Sequence, residues 1–231
     1  MLQKPFNSLN FIANQLHGLQ KYYDMMGNLK IEANFLAGEN TGLKTGYYFN
    51  NKKQNEGFCY NDLKKGPFCY FNHAGDTIAI LYYYYDLITS VKILNSGKLS
   101  DEILVSDKFT DFTSTYKNGK TAFKFSVKNN LFEGPFEINS EQGNTLIKCT
   151  YKDFLLDGSR IECYSDGKIY KQESFIKGYK SGEEIYYDST GKLKLRLNYH
   201  EDELNGDQMI FENGNLLKTY QYYDGEFIKV K

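Results

Sequence analysis

Residues Gly182–Asn205 read GEEIYYDSTGKLKLRLNYHEDELN, and this stretch decides the fold. From Leu193 to Tyr199, the residues Leu193, Leu195, Leu197 and Tyr199 alternate with Lys194, Arg196 and Asn198. A period of two sends apolar side chains to one face and polar ones to the other, the mark of a half-buried strand. Glu183–Tyr187 is a shorter β-prone run, and Asp188–Lys192 (DSTGK) between the two has turn chemistry. His200–Asn205 then leads to the next glycine. The stretch is strand, tight turn, strand, connecting loop.

Gly182 belongs to a ladder. Gly18, Gly42 and Gly66 follow one another at intervals of 24 residues, as do Gly134, Gly158, Gly182 and Gly206. The gap between the two runs fits three units of 24, 22 and 22 residues, with Ser90 and Phe112 in the glycine positions. Self-similarity at a fixed period is the signature of a repeat architecture, here about nine hairpin units. A second glycine lies inside most units, at Gly27, Gly75, Gly97, Gly119, Gly143, Gly167, Gly191 and Gly214. Asn118, Asp166 and Asn213 precede three of these, and Asn-Gly and Asp-Gly are strong hairpin signals. The second unit has Asn50, Asn51 and Lys52 there instead.

The expected fold is all-β: tandem hairpins stacked into one elongated, twisted antiparallel sheet. Residues 1–231 read as a single repeat domain. It comprises a partial N-terminal unit (1–17), three regular units (18–89), two shorter irregular ones (90–133) and four regular ones (134–231). Aromatic residues fall in columns, with Phe35, Tyr83, Tyr151, Phe175, Tyr199 and Tyr222 ending second strands. Each is expected to cover its equivalent in the next unit. A lone hairpin is marginal in water, so stacking between neighbours must supply the stability.

Composition agrees. Tyr (21) and Phe (17), both strand formers, dominate the large side chains, and Trp is absent. A net charge of −1 gives no long-range field towards nucleic acid, so none is expected as a partner. Membrane contact stays open but is not favoured, because no window approaches the ~18 apolar residues of a span. Residues 1–18 lack an export-signal core, and the expected location is cytoplasmic; a leader before Met1 would make the protein exported.

Candidate chemistry is thin. Ser189–Lys192 has part of a phosphate-loop pattern, but no glycine stands five residues before Gly191, and Gly-Lys recurs in the same repeat phase at Gly97, Gly119 and Gly167. His17, His73 and His200 share no spacing, and Cys59, Cys69, Cys149 and Cys163 show no CxxC, so no metal site is expected. The cysteines read as reduced and structural. No catalytic residue and no cofactor is expected.

Two features invite a binding role. Tyr82, Tyr83, Tyr84 and Tyr85 form an unbroken run, and alternation along a strand must expose some of them. Exposed tyrosines are good anchors because they offer much contact area with few torsions to freeze. The acidic residues Asp101, Glu102, Asp107 and Asp111 could meet a cation or a basic partner, and lie in the irregular region where repeat rules break.

The pattern of G-x-x-x-x-Y/F, then x-x-G-K/N, a β-run, a charged loop and Gly resembles bacterial MORN-variant repeats from Leu9 onward. GEEIYYDSTGKLKLRLNYHEDELNG and GDQMIFENGNLLKTYQYYDGE carry the likeness. The resemblance implies an elongated single sheet. It also implies a protein partner, since several members of the YwqK-like group are regarded as antitoxins or immunity partners of secreted toxins. Eukaryotic relatives act as membrane-linked or cytoskeletal scaffolds. The expected function is therefore a non-catalytic antitoxin or immunity-type protein, monomeric or weakly dimeric, whose partner is a toxin encoded nearby. The alternative is a scaffold tethering proteins or lipid headgroups, for which Lys120, Lys168, Lys192 and Lys218 would supply a basic stripe.

Overall fold

A computed structural model of the chain describes residues 7–231, and among them every regular element is a strand. The chain forms two compact units that part within a single strand: residues up to Phe123 belong to the first and those from Phe132 to the second.

The first unit holds β1 (Phe11–Ile12), β2 (Gln15–Leu16), β3 (Gly18–Tyr23), β4 (Leu29–Leu36), β5 (Glu39–Tyr47), β6 (Lys53–Tyr60), β7 (Leu63–Phe71) and β8 (Thr77–Tyr84). It continues with β9 (Leu87–Asn95), β10 (Lys98–Leu99), β11 (Ile103–Leu104) and β12 (Thr110–Thr115). The dividing strand is β13 (Thr121–Lys128). The second unit holds β14 (Leu131–Asn139), β15 (Thr145–Lys152), β16 (Leu155–Leu156), β17 (Gly158–Cys163), β18 (Ile169–Ile176) and β19 (Tyr179–Tyr187). It ends with β20 (Leu193–His200), β21 (Glu203–Leu204), β22 (Gly206–Glu212), β23 (Asn215–Tyr223) and β24 (Glu226–Val230). In each unit the strands pair antiparallel in chain order, from β3 to β10 and from β14 to β24, with the two-residue β16 and β21 set beside β15 and β20, giving extended, unclosed sheets of stacked hairpins.

Two kinds of turn alternate. Within a unit the loop has three residues: in Asp188–Lys192 the Gly191 amide donates to Asp188 O at 2.9 Å and Asp188 N to Lys192 O at 2.9 Å. Gly191 takes φ +88°, the left-handed position this turn requires. Asn51 takes the same role at φ 60°, which is how the second unit manages without the glycine. Asn118-Gly119 and Asp166-Gly167 are turns of this three-residue kind, whereas Asn213 (φ 52°) and Gly214 (φ 84°) form a two-residue turn.

The expected connecting loops are themselves tight turns. Asn61 and Asp62, Tyr85 and Asp86, and Glu201 and Asp202 are pairs of left-handed residues joining adjacent strands. The ladder glycines follow these turns and sit at register shifts. At Gly182 (φ +106°) three residues of β19 oppose one of β18, between the pairs Glu173–Glu184 and Phe175–Lys180. Such bulges bend a strand and let the hairpin coil.

Units are tied by polar bonds as well as by ladders. Asp202 N donates to Lys180 O at 2.9 Å, and Lys180 N to Asp202 Oδ1 at 2.7 Å. Asp62 with Asn40 and Asp86 with Lys64 repeat the arrangement. Tyr48 and Tyr164 each donate a hydroxyl to a backbone oxygen 23 residues on, at Phe71 and Tyr187. Of the second-strand aromatics, Tyr83 packs on Phe68 (5.3 Å) and Tyr151 on Phe136 (5.9 Å) inside their own hairpins, while Tyr222 packs on Phe227 of the following strand (5.8 Å).

The single continuous ladder expected from the repeats is interrupted in the irregular segment. Between β9 and β12 the chain makes only the two-residue strands β10 and β11, both paired with β9. Phe112, at a glycine position, buries its ring (5% exposed) in β12, which lies against β8 and β9. A large apolar side chain where a left-handed glycine belongs favours packing over continuation of the ladder.

Candidate functional site

In the first unit, one face of the sheet is closed. Ala33, Gly57, Phe68, Leu81 and Val91 are buried in a single cross-strand row, which between Ala33 and Gly57 also holds half-buried Lys44. Period two sends their neighbours to the other, outer face.

The tyrosine run divides accordingly. Tyr83 points inward: it is 5% exposed, its hydroxyl lies 3.1 Å from that of Tyr70, and the Lys64 ammonium sits 4.7 Å over its ring. Tyr82 is half-buried on the outer face, opposite Pro67 and Ser90. Tyr84 is 60% exposed, directly across from Lys65 on one side and Leu87 on the other. Tyr85 occupies the turn at φ 49°, its ring 4.8 Å from that of Tyr84. A bulky residue is rarely held left-handed, so the local structure must impose it.

Lys65 completes the group. Its ammonium lies 5.1 Å from the Tyr85 ring centroid, 5.4 Å from that of Tyr60, and donates to the Tyr85 hydroxyl at 3.4 Å. No carboxylate pairs with it among the described residues. The carboxylates of Asp62 and Asp86 in the nearby turns are used on backbone amides. Leu43 and Phe58, opposite each other in register, together with Tyr60 and Leu87, extend the exposed apolar surface. Reading the run Tyr82–Tyr85 alone misses Leu43, Phe58, Tyr60 and Lys65. Their register is set by the bulges at Gly42 and Gly66, which the spacing of glycines in the sequence does not specify.

The acidic residues do not converge. Glu102 accepts the Ser90 hydroxyl and so stands beside Tyr82, on the same face. Asp101, Asp107 and Asp111 are exposed, and no cluster of acidic, His or Cys side chains among the described residues could hold a metal ion. The four cysteines are free thiols: Cys59, Cys149 and Cys163 buried, Cys69 half-buried.

A second feature was not anticipated. In the second unit the inner rows contain Arg160, Glu173 and Glu184 in one line and Glu162, Lys171 and Tyr186 in the next. Arg160 bonds Glu173 at 2.6 Å, Lys171 approaches it at 3.0 Å, and Lys180 bridges Glu173 (3.0 Å) and Glu184 (2.9 Å). Glu162, Lys171, Glu173 and Glu184 are at most 4% exposed. Burial would raise the Glu173 carboxyl, but Lys171, Arg160 and Lys180 together hold it well below the usual range. For Lys180 burial acts downward and is outweighed by Glu184 and Glu173, leaving it raised. Burial, with Glu184 beside it, also raises the Tyr199 hydroxyl. The charges compensate one another, so the cluster reads as part of the core. Its sequence signal was present: charged residues at i and i+2 in Arg160–Glu162 and Lys171–Glu173, on the strand face that is apolar in other units.

No protein-family model matches the chain, and no curated protein matches it significantly in sequence.

Proposed function

We propose that this chain is a non-catalytic, protein-binding repeat protein of the MORN-variant kind. In this reading it acts as an antitoxin or immunity-type protein that captures and neutralises a partner toxin in the cytoplasm. The observation that carries the binding reading is the outer face of the first unit, where Leu43, Phe58, Tyr60, Tyr84 and Leu87 are each 42–60% exposed and lie on β5, β6, β8 and β9. Aromatic and aliphatic side chains presented together on a rigid sheet have the composition of protein-interface cores. The hydrogen-bonded ladder beneath them means little ordering entropy is lost on binding. The repeat resemblance supports the toxin-directed part.

The test is co-purification with the product of the adjacent gene, with that product also expressed alone. A stoichiometric complex with a toxic neighbour supports the reading. A harmless neighbour, or recovery of membranes instead, favours the scaffold.

A further inference from the structure

The tyrosine patch and the acidic segment share one face of the first unit, and their chemistries match. Lys65 on β7 is a cation without a carboxylate partner among the described residues, set amid Tyr60, Tyr84 and Tyr85. Along the same face, Tyr82 pairs with Ser90 and Ser90 with Leu104. Leu104 is 80% exposed, and exposed Glu102 beside it is anchored by the Ser90 hydroxyl. The patch thus offers a positive charge in an aromatic setting. The segment offers a negative charge beside a bare aliphatic side chain, separated from the patch by β8 and β9.

We propose that two copies of this chain dock face to face on this surface, each placing Glu102 and Leu104 on the other's Lys65, Tyr84 and Leu87. A twofold axis above β8 and β9, inclined to the strands because Lys65 and Tyr84 stand in a different row from Ser90 and Leu104, exchanges the β7 side of one copy with the β11 side of the other. One operation therefore satisfies both contacts and closes the assembly. Sheets facing each other pack about 10 Å apart, within reach of these side chains. The surface is small, so association is weak and depends on charge. The docking is independent of the toxin-binding reading, although it would cover the same residues.

Sedimentation velocity on the whole chain, from about 5 to about 500 µM, tests it over the range expected of a small interface. The expected result is a reversible dimer that weakens with salt. Lys65→Glu or Glu102→Lys should each loosen it about tenfold, and the double swap Lys65→Glu/Glu102→Lys should restore it. Leu104→Asp, at a side chain that is 80% exposed and has little packing to lose within one copy, should also loosen it, which keeps the test sound if Glu102→Lys disturbs the loop. A monomer throughout, or a dimer indifferent to Lys65→Glu and Leu104→Asp, overturns the proposal. So does a monomer whose patch instead takes an acidic partner protein.

Discussion

Asp202 and Lys180 hold each other by two bonds, amide to carbonyl at 2.9 Å and amide to carboxylate at 2.7 Å, although 22 residues separate them. A turn in one unit is thereby fixed to the start of the strand after the previous turn. Asp202→Ala should remove one bond and leave the Lys180 amide to solvent, lowering stability by ~1 kcal/mol. Asp202→Asn, which keeps an acceptor, should lose less. Urea unfolding of the two variants measures the difference, and equal losses would mean that the carboxylate bond contributes nothing.

Gly57 is a core position rather than a turn. A Cβ there would overlap the Phe68 ring, which is 1% exposed and has nowhere to move. Gly57→Ala should cost about 1–3 kcal/mol by overpacking. The double variant Gly57→Ala/Phe68→Leu should recover part of the loss. Thermal melts of the pair report this directly.

These two sites show what could be read from the sequence. The glycine ladder was legible because bulges and left-handed turns accept few other residues, and Asn51 could stand in because it tolerates that conformation. The break after β9 was signalled by Ser90 and Phe112 in glycine positions, but its outcome, β12 packing over β8 and β9, depends on tertiary contacts. Tyr82–Tyr85 were visible as a run. Which of them faced out depended on where the bulge between Tyr82 and Tyr83 fell. The ionic core around Glu173 contradicts the expectation that inner strand positions are apolar, and only register brings Arg160, Lys171 and Lys180 onto that one carboxylate.

That carboxylate makes the second unit sensitive to acid. The Glu173 carboxyl is depressed in the folded chain, so its contribution is fully present above the ordinary glutamate value of ~4.3 and is lost as pH falls through the folded value. Glu173→Gln should cost about 3 kcal/mol at neutral pH, because Arg160 and Lys171 are left short of negative charge in a buried site. It should also flatten the fall in stability below about pH 4. Denaturant titrations of both proteins across pH 3–7 check this. Parallel curves would remove Glu173 from the acid response.

The thiols give an independent probe of packing. Burial pushes the Cys149 thiol up to about 11 and raises those of Cys59, Cys69 and Cys163. In the native protein, half-buried Cys69 should react first with a maleimide, and the three buried thiols only on opening. Mass spectrometry of partially labelled protein gives the order. Early labelling of Cys149 would contradict the core assigned to the second unit.

The most direct test of the binding account is growth rescue. The adjacent gene is expressed with the wild-type chain, or with Phe58→Ala/Tyr84→Ala, whose side chains are about half exposed and carry little of the fold. The account predicts that the neighbour is toxic alone and that the wild-type chain restores growth. It further predicts that the double variant, folded by circular dichroism, fails through a loss of ~2 kcal/mol or more in affinity. Equal rescue by the variant, or a neighbour with no toxicity to relieve, would contradict it.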